Sequence, residues 1–320
     1  MLKIILKRVL QIIPILFIVV TLVFGITRVI PGDPAAVMLG PQASADEVMK
    51  LRDELGLNDS ISKQYGTYMK GLLKGDLGKS YSYSESVGKL IKETFPNTLI
   101  LASCSIVLAL FIGIPLGIIS ATKQYSIFDY ISMIAALIGV SMPIFWLGLM
   151  LVLVFSVNLG WLPSMGMGSM DNGIGDVISH LVLPTIALST IPSATFARIT
   201  RSSMLESVKQ DYVKALRAKG LSERVVIWKH VLKNALPPII TVLGLQISSA
   251  LSGAILTETI FNWPGMGKLI VDAIGNRDYA LVQGAVLFIA VIYVAINLLV
   301  DIVYMYINPK VSYDSVKGGS

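Results

Sequence analysis

The stretch DYVKALRAKGLSERVVIWKHVLKNALPP, residues 211–238, is strongly cationic, and long runs almost free of charge lie on either side of it. Those flanks decide the class of fold. Of 320 residues, 54% are hydrophobic and only 14% are charged. A soluble domain carries about 25% charged residues, so the composition points to a membrane-embedded chain. The single cysteine, Cys104, lies inside an apolar run. A disulfide framework and a thiolate metal site are therefore excluded, and a small buried side chain is expected there.

Working outward from the island, a membrane helix needs about 20 mainly apolar residues. Six stretches meet that requirement: 9–27, 98–120, 131–157, 181–197, 239–257 and 284–307. The fold class expected is an all-α integral membrane protein with six transmembrane helices. The fourth stretch is the weakest, since Pro184, Pro192 and several hydroxyl residues interrupt it. Pro14, Pro115 and Pro143 also fall inside spans, each removing one helix hydrogen bond and inviting a kink. Glycine-rich kinked helices can pack closely around a cavity. The first stretch follows Lys3, Lys7 and Arg8 as a signal peptide would, but TRVIPGDP comes next with no small-x-small cleavage site, so an uncleaved span is expected.

Orientation follows from lysine and arginine in short loops. The N-terminus is basic, and residues 198–236 hold nine Lys/Arg against three acids. Residues 158–180, between the third and fourth spans, hold none. Six spans with both termini cytoplasmic satisfy this pattern. The division expected is a first span within 1–30, an extracytoplasmic cap at 31–95, a core at 96–308 carrying the cytoplasmic loop 198–236, and a cytoplasmic tail at 309–320. In the cap, SADEVMKLRDELGL reads as a helix with Ser44 as its N-cap.

The island itself reads as helix, glycine turn, helix. Leu205, Val208, Tyr212, Ala215 and Leu216 recur at helical spacing and form one apolar stripe. Gly220 stops that helix as a C′ residue. Ser222 caps a second helix with Val225, Val226, Trp228, Val231 and Leu232 on one side, and Pro237 and Pro238 are expected to end it. A solvated positive-inside loop is the plain alternative. A DNA-reading helix-turn-helix is another, opposed by the tether to a span at each end, so no nucleic-acid partner is expected. The third is a docking element for a cytoplasmic partner.

These residues resemble a family. YVKALRAKGLSERVVIWKHVLKNALPP is similar to the cytoplasmic loop of binding-protein-dependent ABC importer permeases, closest to the dipeptide, oligopeptide and nickel branch and its first-permease type. VIPGDP, FSVNLGWLPSMG, ETIFNWPGMGKLIVDAI and NLLVDIVYMYINPKV agree in order and spacing, so the resemblance covers nearly the whole chain. Lys214 stands where that loop usually has Glu, and Lys233 where it usually ends in Pro. The resemblance implies a type I ABC importer permease fold and a translocation subunit in the cell inner membrane, not an enzyme. It implies a second, homologous permease subunit, two ABC ATPase subunits, an extracytoplasmic solute-binding protein and a surrounding lipid bilayer. ATP and Mg would sit on the ATPase subunits, leaving no cofactor in this chain. The substrates implied are di- and oligopeptides, with nickel or glutathione as the alternative. The loop would be a coupling helix, with Tyr212, Ala215, Leu216, Ala218, Gly220 and Leu221 as its docking residues.

GDLGKS, residues 75–80, imitates a phosphate-binding loop, but the P-loop glycine position is occupied by Leu73. His180 and His230 are the only histidines and form no catalytic or metal motif; each is expected to make local hydrogen bonds. Glu258, Asn297 and Asp301 are polar groups in spans, candidates for a path or gate and equally for interhelical hydrogen bonds or snorkelling. Phe261, Trp263, Pro264 and Gly265 form a candidate entrance loop, with Trp263 expected at interface depth. A stand-alone channel or ion-coupled transporter would favour mid-span charges and inverted repeats, and a membrane enzyme would need a catalytic set. Neither pattern is present in the sequence.

Overall fold

The computed structural model describes residues 2–29, 32–40 and 42–307. Among them the chain is helical between turns, with one isolated bridge, Lys79–Ser86. The helices are α1 (Leu2–Val29), α2 (Pro34–Leu39), α3 (Ala45–Glu54), α4 (Ile61–Leu73), α5 (Val87–Thr122), α6 (Ile127–Ser141) and α7 (Ile144–Leu151). After them come α8 (Ile174–Val208), α9 (Asp211–Ala218), α10 (Glu223–Val225), α11 (Leu232–Ile260), α12 (Met266–Gly275) and α13 (Tyr279–Ile307). Wide π turns extend α7 over Val152–Asn158 and join α10 to α11 over Val226–Val231. The tail expected at 309–320 lies outside the described residues.

Five helices are long and apolar enough to cross a membrane: Leu10–Val29, Val87–Thr122, Ile174–Val208, Glu223–Leu251 and Tyr279–Val300. The sixth expected span, 131–157, is not one straight helix. It is the pair Ile127–Ser141 and Ile144–Asn158, bent by 102°. The cause is local. Pro143 has no amide hydrogen to continue α6, and Met142, the residue before it, is driven into extended backbone at ψ 127°. Pro143 then starts α7 at φ −61°.

Other prolines do not have this effect. The helix continues through Pro184 and Pro192 for 35 residues, and both rings are buried in it. Pro237 and Pro238 do not end the second helix of the basic island, contrary to the sequence expectation, because α11 runs through them to Ile260. The π turns just before them have already shifted the hydrogen-bond register, the Thr241 hydroxyl donates to the Pro237 carbonyl at 3.0 Å, and Ala235 and Ile239 are buried on either side.

The chain forms two compact units. One comprises residues 99–263 and 295–307. Here α8 packs against α6, α7 and α11. Close approach of α5 to α8 depends on Gly113 and Gly117, where an added Cβ would lie 2.5 Å from the Ser193 carbonyl oxygen and from Thr200 Cβ. Small residues four apart let helix backbones meet, which matters in lipid because apolar transfer supplies little drive there. Ala109, Phe196 and Ile239 join α5, α8 and α11 in a buried cluster.

The second unit comprises residues 2–98 and 264–294. It is larger than the cap expected at 31–95, since α1, α12 and the start of α13 belong to it. Val87, Leu90 and Ile91 pack with Met266, Leu269 and Ile270 and with Leu281 and Val282. Buried Asp278 accepts hydrogen bonds from Ser80 Oγ (2.6 Å) and from the amides of Tyr81 (2.8 Å), Ser82 (3.0 Å) and Leu281 (3.1 Å). Ser44 caps α3 as expected, in a reciprocal box with Glu47. The bonds from Ser44 hold the Glu47 carboxyl below its usual range.

Candidate functional site

The basic loop is built as a short helix pinned to the ends of longer ones. Asp211 sits in the first turn of α9, where an acid suits the helix dipole. Gly220 ends it at φ +78°. The Gly220 amide donates to Arg217 O at 2.9 Å and the Leu221 amide to Leu216 O at 3.4 Å. Those two bonds are the Schellman arrangement, which needs a left-handed residue at that point. Arg217 closes the turn by gripping Glu223 at 2.6 and 3.2 Å. The Glu223 carboxylate holds Arg217 still further above the ordinary guanidinium range. Among the described residues Lys214 pairs with Asp211 alone, at 2.8 Å.

The two faces of α9 have opposite fates. Val213 is fully buried with Ile118, Ala121, Met204, Val226, Val231 and Ala235, and Leu205, Val208, Tyr212, Leu216 and Leu221 pack against that group. The apolar stripe read from the sequence is thus turned inward, onto the chain's own helix ends, with the exception of exposed Ala215. Its length is also divided, since α8 ends at Val208 and α9 begins at Asp211. The outward face carries Lys214, Ala215, Arg217 and Ala218, all exposed, with Gly220 beyond them. Trp228 is 53% exposed and Val225 39%, so the second helix also divides, with Val226 and Val231 inward. Val213 escaped the sequence reading because it lies beside the stripe that spacing picks out.

A polar clasp stands next to this cluster, and sequence reasoning missed it. Arg201 of α8 meets Asp129 of α6 through Nε–Oδ1 (2.8 Å) and Nη2–Oδ2 (2.9 Å). Ser120, between Ile118 and Ala121 on α5, donates to Asp129 Oδ1 and accepts from Arg201 Nε at 2.9 Å. The Tyr125 amide adds a bond to Asp129 Oδ2 at 3.0 Å. Three helix ends are joined by one buried carboxylate. The available signal was an Asp opening an apolar span and an Arg closing another.

The other predicted residues are scattered. Glu258 is fully buried near the C-terminus of α11. Asn297 is half-buried on α13, and the side chain of Asp301 lies outside the described residues. Phe261 and Trp263 are buried to 2% and 0% exposure. Trp263 is packed inside the first unit, against Leu101, Leu188 and Ala254. The Phe261 carbonyl accepts from the Gly166 amide at 2.8 Å. Phe261 and Trp263 belong to the first unit, while exposed Pro264 and buried Gly265 belong to the second. In that second unit Pro264 O accepts from Asn97 Nδ2 at 2.8 Å. His180 lies against Asp176 on α8, 3.3 Å from its carboxylate. Among the described residues no three His, Cys, Asp or Glu side chains gather as metal ligands.

Residues 113–313 match the family described as binding-protein-dependent transport system inner membrane component, and residues 1–102 match the N-terminal part of the same membrane component. The chain belongs to that family. As such it is a transport permease subunit of an ABC importer, and an inner membrane protein. It is 46% identical to the dipeptide transport system permease protein DppB of Alkalihalophilus pseudofirmus, over 96% of this chain and 98% of that one. The corresponding Escherichia coli K12 protein is 40% identical over 98% and 99%. The glutathione transport system permease protein GsiC of Escherichia coli O6:H1 is 41% identical over 98% and 100%. Among solved structures, an inward-facing MetNI methionine ABC transporter aligns with TM-score 0.56 and 19% identity, covering 68% of this chain and 96% of that one. At that identity the likeness is one of fold, the type I importer permease fold. In this permease, α9 and its glycine turn fall inside the matched segment 113–313.

Proposed function

We propose that this permease subunit forms the translocation path for di- and oligopeptides handed over by an extracytoplasmic solute-binding protein. It works with a homologous second permease subunit and two ABC ATPase subunits. ATP and Mg are held by those ATPases, and this chain holds no cofactor. The peptide reading is supported by relatives named for dipeptides at 46% and 40% identity. Glutathione, itself a small peptide, is the substrate class of a further relative at 41%. Both termini and α9 lie on the cytoplasmic side, a placement supported by the charge of residues 198–236.

The observation that carries the reading is the two-sidedness of α9. Its inner face is buried among α5, α8 and α11, so a push on the short helix is delivered to three membrane helices. Its outer face is made of small and basic side chains, Ala215 and Ala218 among Lys214 and Arg217. Small residues allow close approach of a partner groove, and the basic rim suits an acidic one. Glu258, Asn297 and Asp301 remain candidates for the path or gate, and Phe261, Trp263, Pro264 and Gly265 for the entrance. Burial gives Phe261 and Trp263 the role of holding that loop in place.

Replacing Ala215 with Trp tests the docking role, because the side chain projects away from the chain's own core. ATP-driven uptake of a labelled dipeptide into proteoliposomes bearing the assembled transporter should fall at least tenfold, while the stability of the permease changes by no more than a surface substitution does, about 0.5 kcal/mol. Uptake at the unsubstituted rate would remove α9 from the coupling path.

A further inference from the structure

The second unit contains a cavity of about 400 Å³ with no assigned role. Its walls come from the end of α1, the α3–α4 turn, the GDLGKS segment and the start of α13. That volume falls in the range of small-molecule sites. Its lining is polar in an uneven way. Arg28 contributes a guanidinium whose Nε donates to Gln64 Oε1 (3.0 Å) and whose Nη1 donates to Thr27 Oγ1 (3.2 Å). Its planar group lies over Phe24, 4.4 Å from the ring centroid, and near Tyr279 at 5.3 Å. Among the described residues no carboxylate pairs with Arg28. Around it stand the phenols of Tyr68, Tyr81 and Tyr279. The Tyr68 hydroxyl is buried, with no hydrogen-bond partner among the described residues. Burial pushes that phenol up to about 12, so it remains a neutral donor. Glu54, Asp59, Asp76 and Lys79 also line the cavity; Asp59 pairs with Lys63, and exposed Glu54 has no ion-pair partner among the described residues.

A part-buried guanidinium with donors to spare is complementary to a carboxylate. A free carboxylate elsewhere in the same wall is complementary to an ammonium. We infer that this cavity is a binding site for a small zwitterion, a short peptide whose terminal carboxylate meets Arg28 and whose amino end is drawn to Glu54. The assignment rests on the peptide reading for its ligand class, and on the cavity's own chemistry for the site. It gives the second unit a contact with solute. The GDLGKS segment, which is no phosphate loop, becomes part of a peptide site.

The test uses the full-length permease in nanodiscs, without ATPases or solute-binding protein, titrated calorimetrically with Gly-Leu and with Gly-Leu amide. Gly-Leu should bind, and the amide should bind about 10- to 100-fold more weakly, the expected loss of a charged hydrogen-bonded group. Arg28→Gln should weaken Gly-Leu by a similar factor and leave the amide unchanged. Equal binding of acid and amide to the unsubstituted protein overturns the site, whatever happens to the variants. So does unchanged Gly-Leu affinity in a folded Arg28→Gln protein. If acid and amide are discriminated but assembled transporter fails to import dipeptides, the site stands and the transported class is wrong. If import proceeds without that discrimination, the transport reading stands and the site falls.

Discussion

Asp129 stands at the third position of α6, where Ser126 caps the helix and a negative charge suits its N-terminus. It is nevertheless 3% exposed, at the mouth of an apolar span, and tolerable there only because Arg201, Ser120 and the Tyr125 amide saturate both its oxygens. Removing one member leaves the other charge without its partner, so Asp129→Ala should destabilise the purified permease by about 2–3 kcal/mol, read as a lowered midpoint in a thermal unfolding assay. Adding Arg201→Met should recover part of that loss, since an apolar replacement of a whole pair costs less than an orphaned charge. A double variant as unstable as the sum of the two singles would show that the pair does not act as a unit. None of this was legible in the sequence. Asp129 and Arg201 are 72 positions apart, and nothing in either local pattern says that the helix ends converge. Ser44 is the opposite case: its cap, its partner Glu47 and its helix all lie within one turn, so the chemistry is local and readable.

At the scale of the helix, the difference between what spacing fixes and what it leaves open is sharpest in α9. Period and glycine gave the element and its stop, and Gly220 takes the left-handed conformation that the stop needs. Period also gave an apolar face, but not its destination. A face that could dock on a partner is, in the folded chain, buried on Met204, Ile118 and Val231. Spans divide in the same way. Length and apolarity located them, while whether a proline breaks a helix depends on its neighbours, so Pro143 bends a span and Pro184 and Pro192 do not. The glycine pair in GIPLG has an element-scale meaning that appears only once α5 and α8 are seen together. Thr200 and the Ala197 carbonyl lie 2.5 and 2.6 Å from a Cβ built at Gly117, and backbone cannot yield as a side-chain tip would. Gly117→Val should force α5 off α8 and cost about 1–3 kcal/mol, seen as a lower thermal midpoint. Gly66→Ala, with nothing within 4 Å, should be stable by comparison. Equal midpoints for the two variants would mean that α5 and α8 do not meet as described.

For the molecule as a whole, the decisive quantity is which side of the membrane each loop occupies, and the proposed orientation follows from the loop charges. Residues 198–236 carry nine basic against three acidic residues, while 158–180 carry no lysine or arginine at all. Lysine and arginine in short loops stay on the cytoplasmic side during insertion. The long segment 28–96 has nine of each sign and exerts no such bias, so its side follows from the number of crossings before it. One crossing by α1 places α3 and α4 outside if the N-terminus is inside. Five further crossings return the chain to the cytoplasm only if the bent pair α6 and α7 counts as one. A re-entrant excursion by that pair would instead put α9 and the cap on the same side, so the 102° bend makes the question a real one. The only cysteine is Cys104, so Cys104→Ser gives a background for single-site labelling. Lys219→Cys, exposed at the end of α9, should react with a membrane-impermeant maleimide only in inside-out vesicles. Lys74→Cys, exposed at the end of α4, should react only in right-side-out spheroplasts. Labelling of both positions from one side would make the bent pair a re-entrant loop and leave the chain with five crossings. In that event the small, basic face of α9 and the Arg28 cavity would share a compartment, and α9 could receive a push from cytoplasmic ATPases only if the peptide site were cytoplasmic as well.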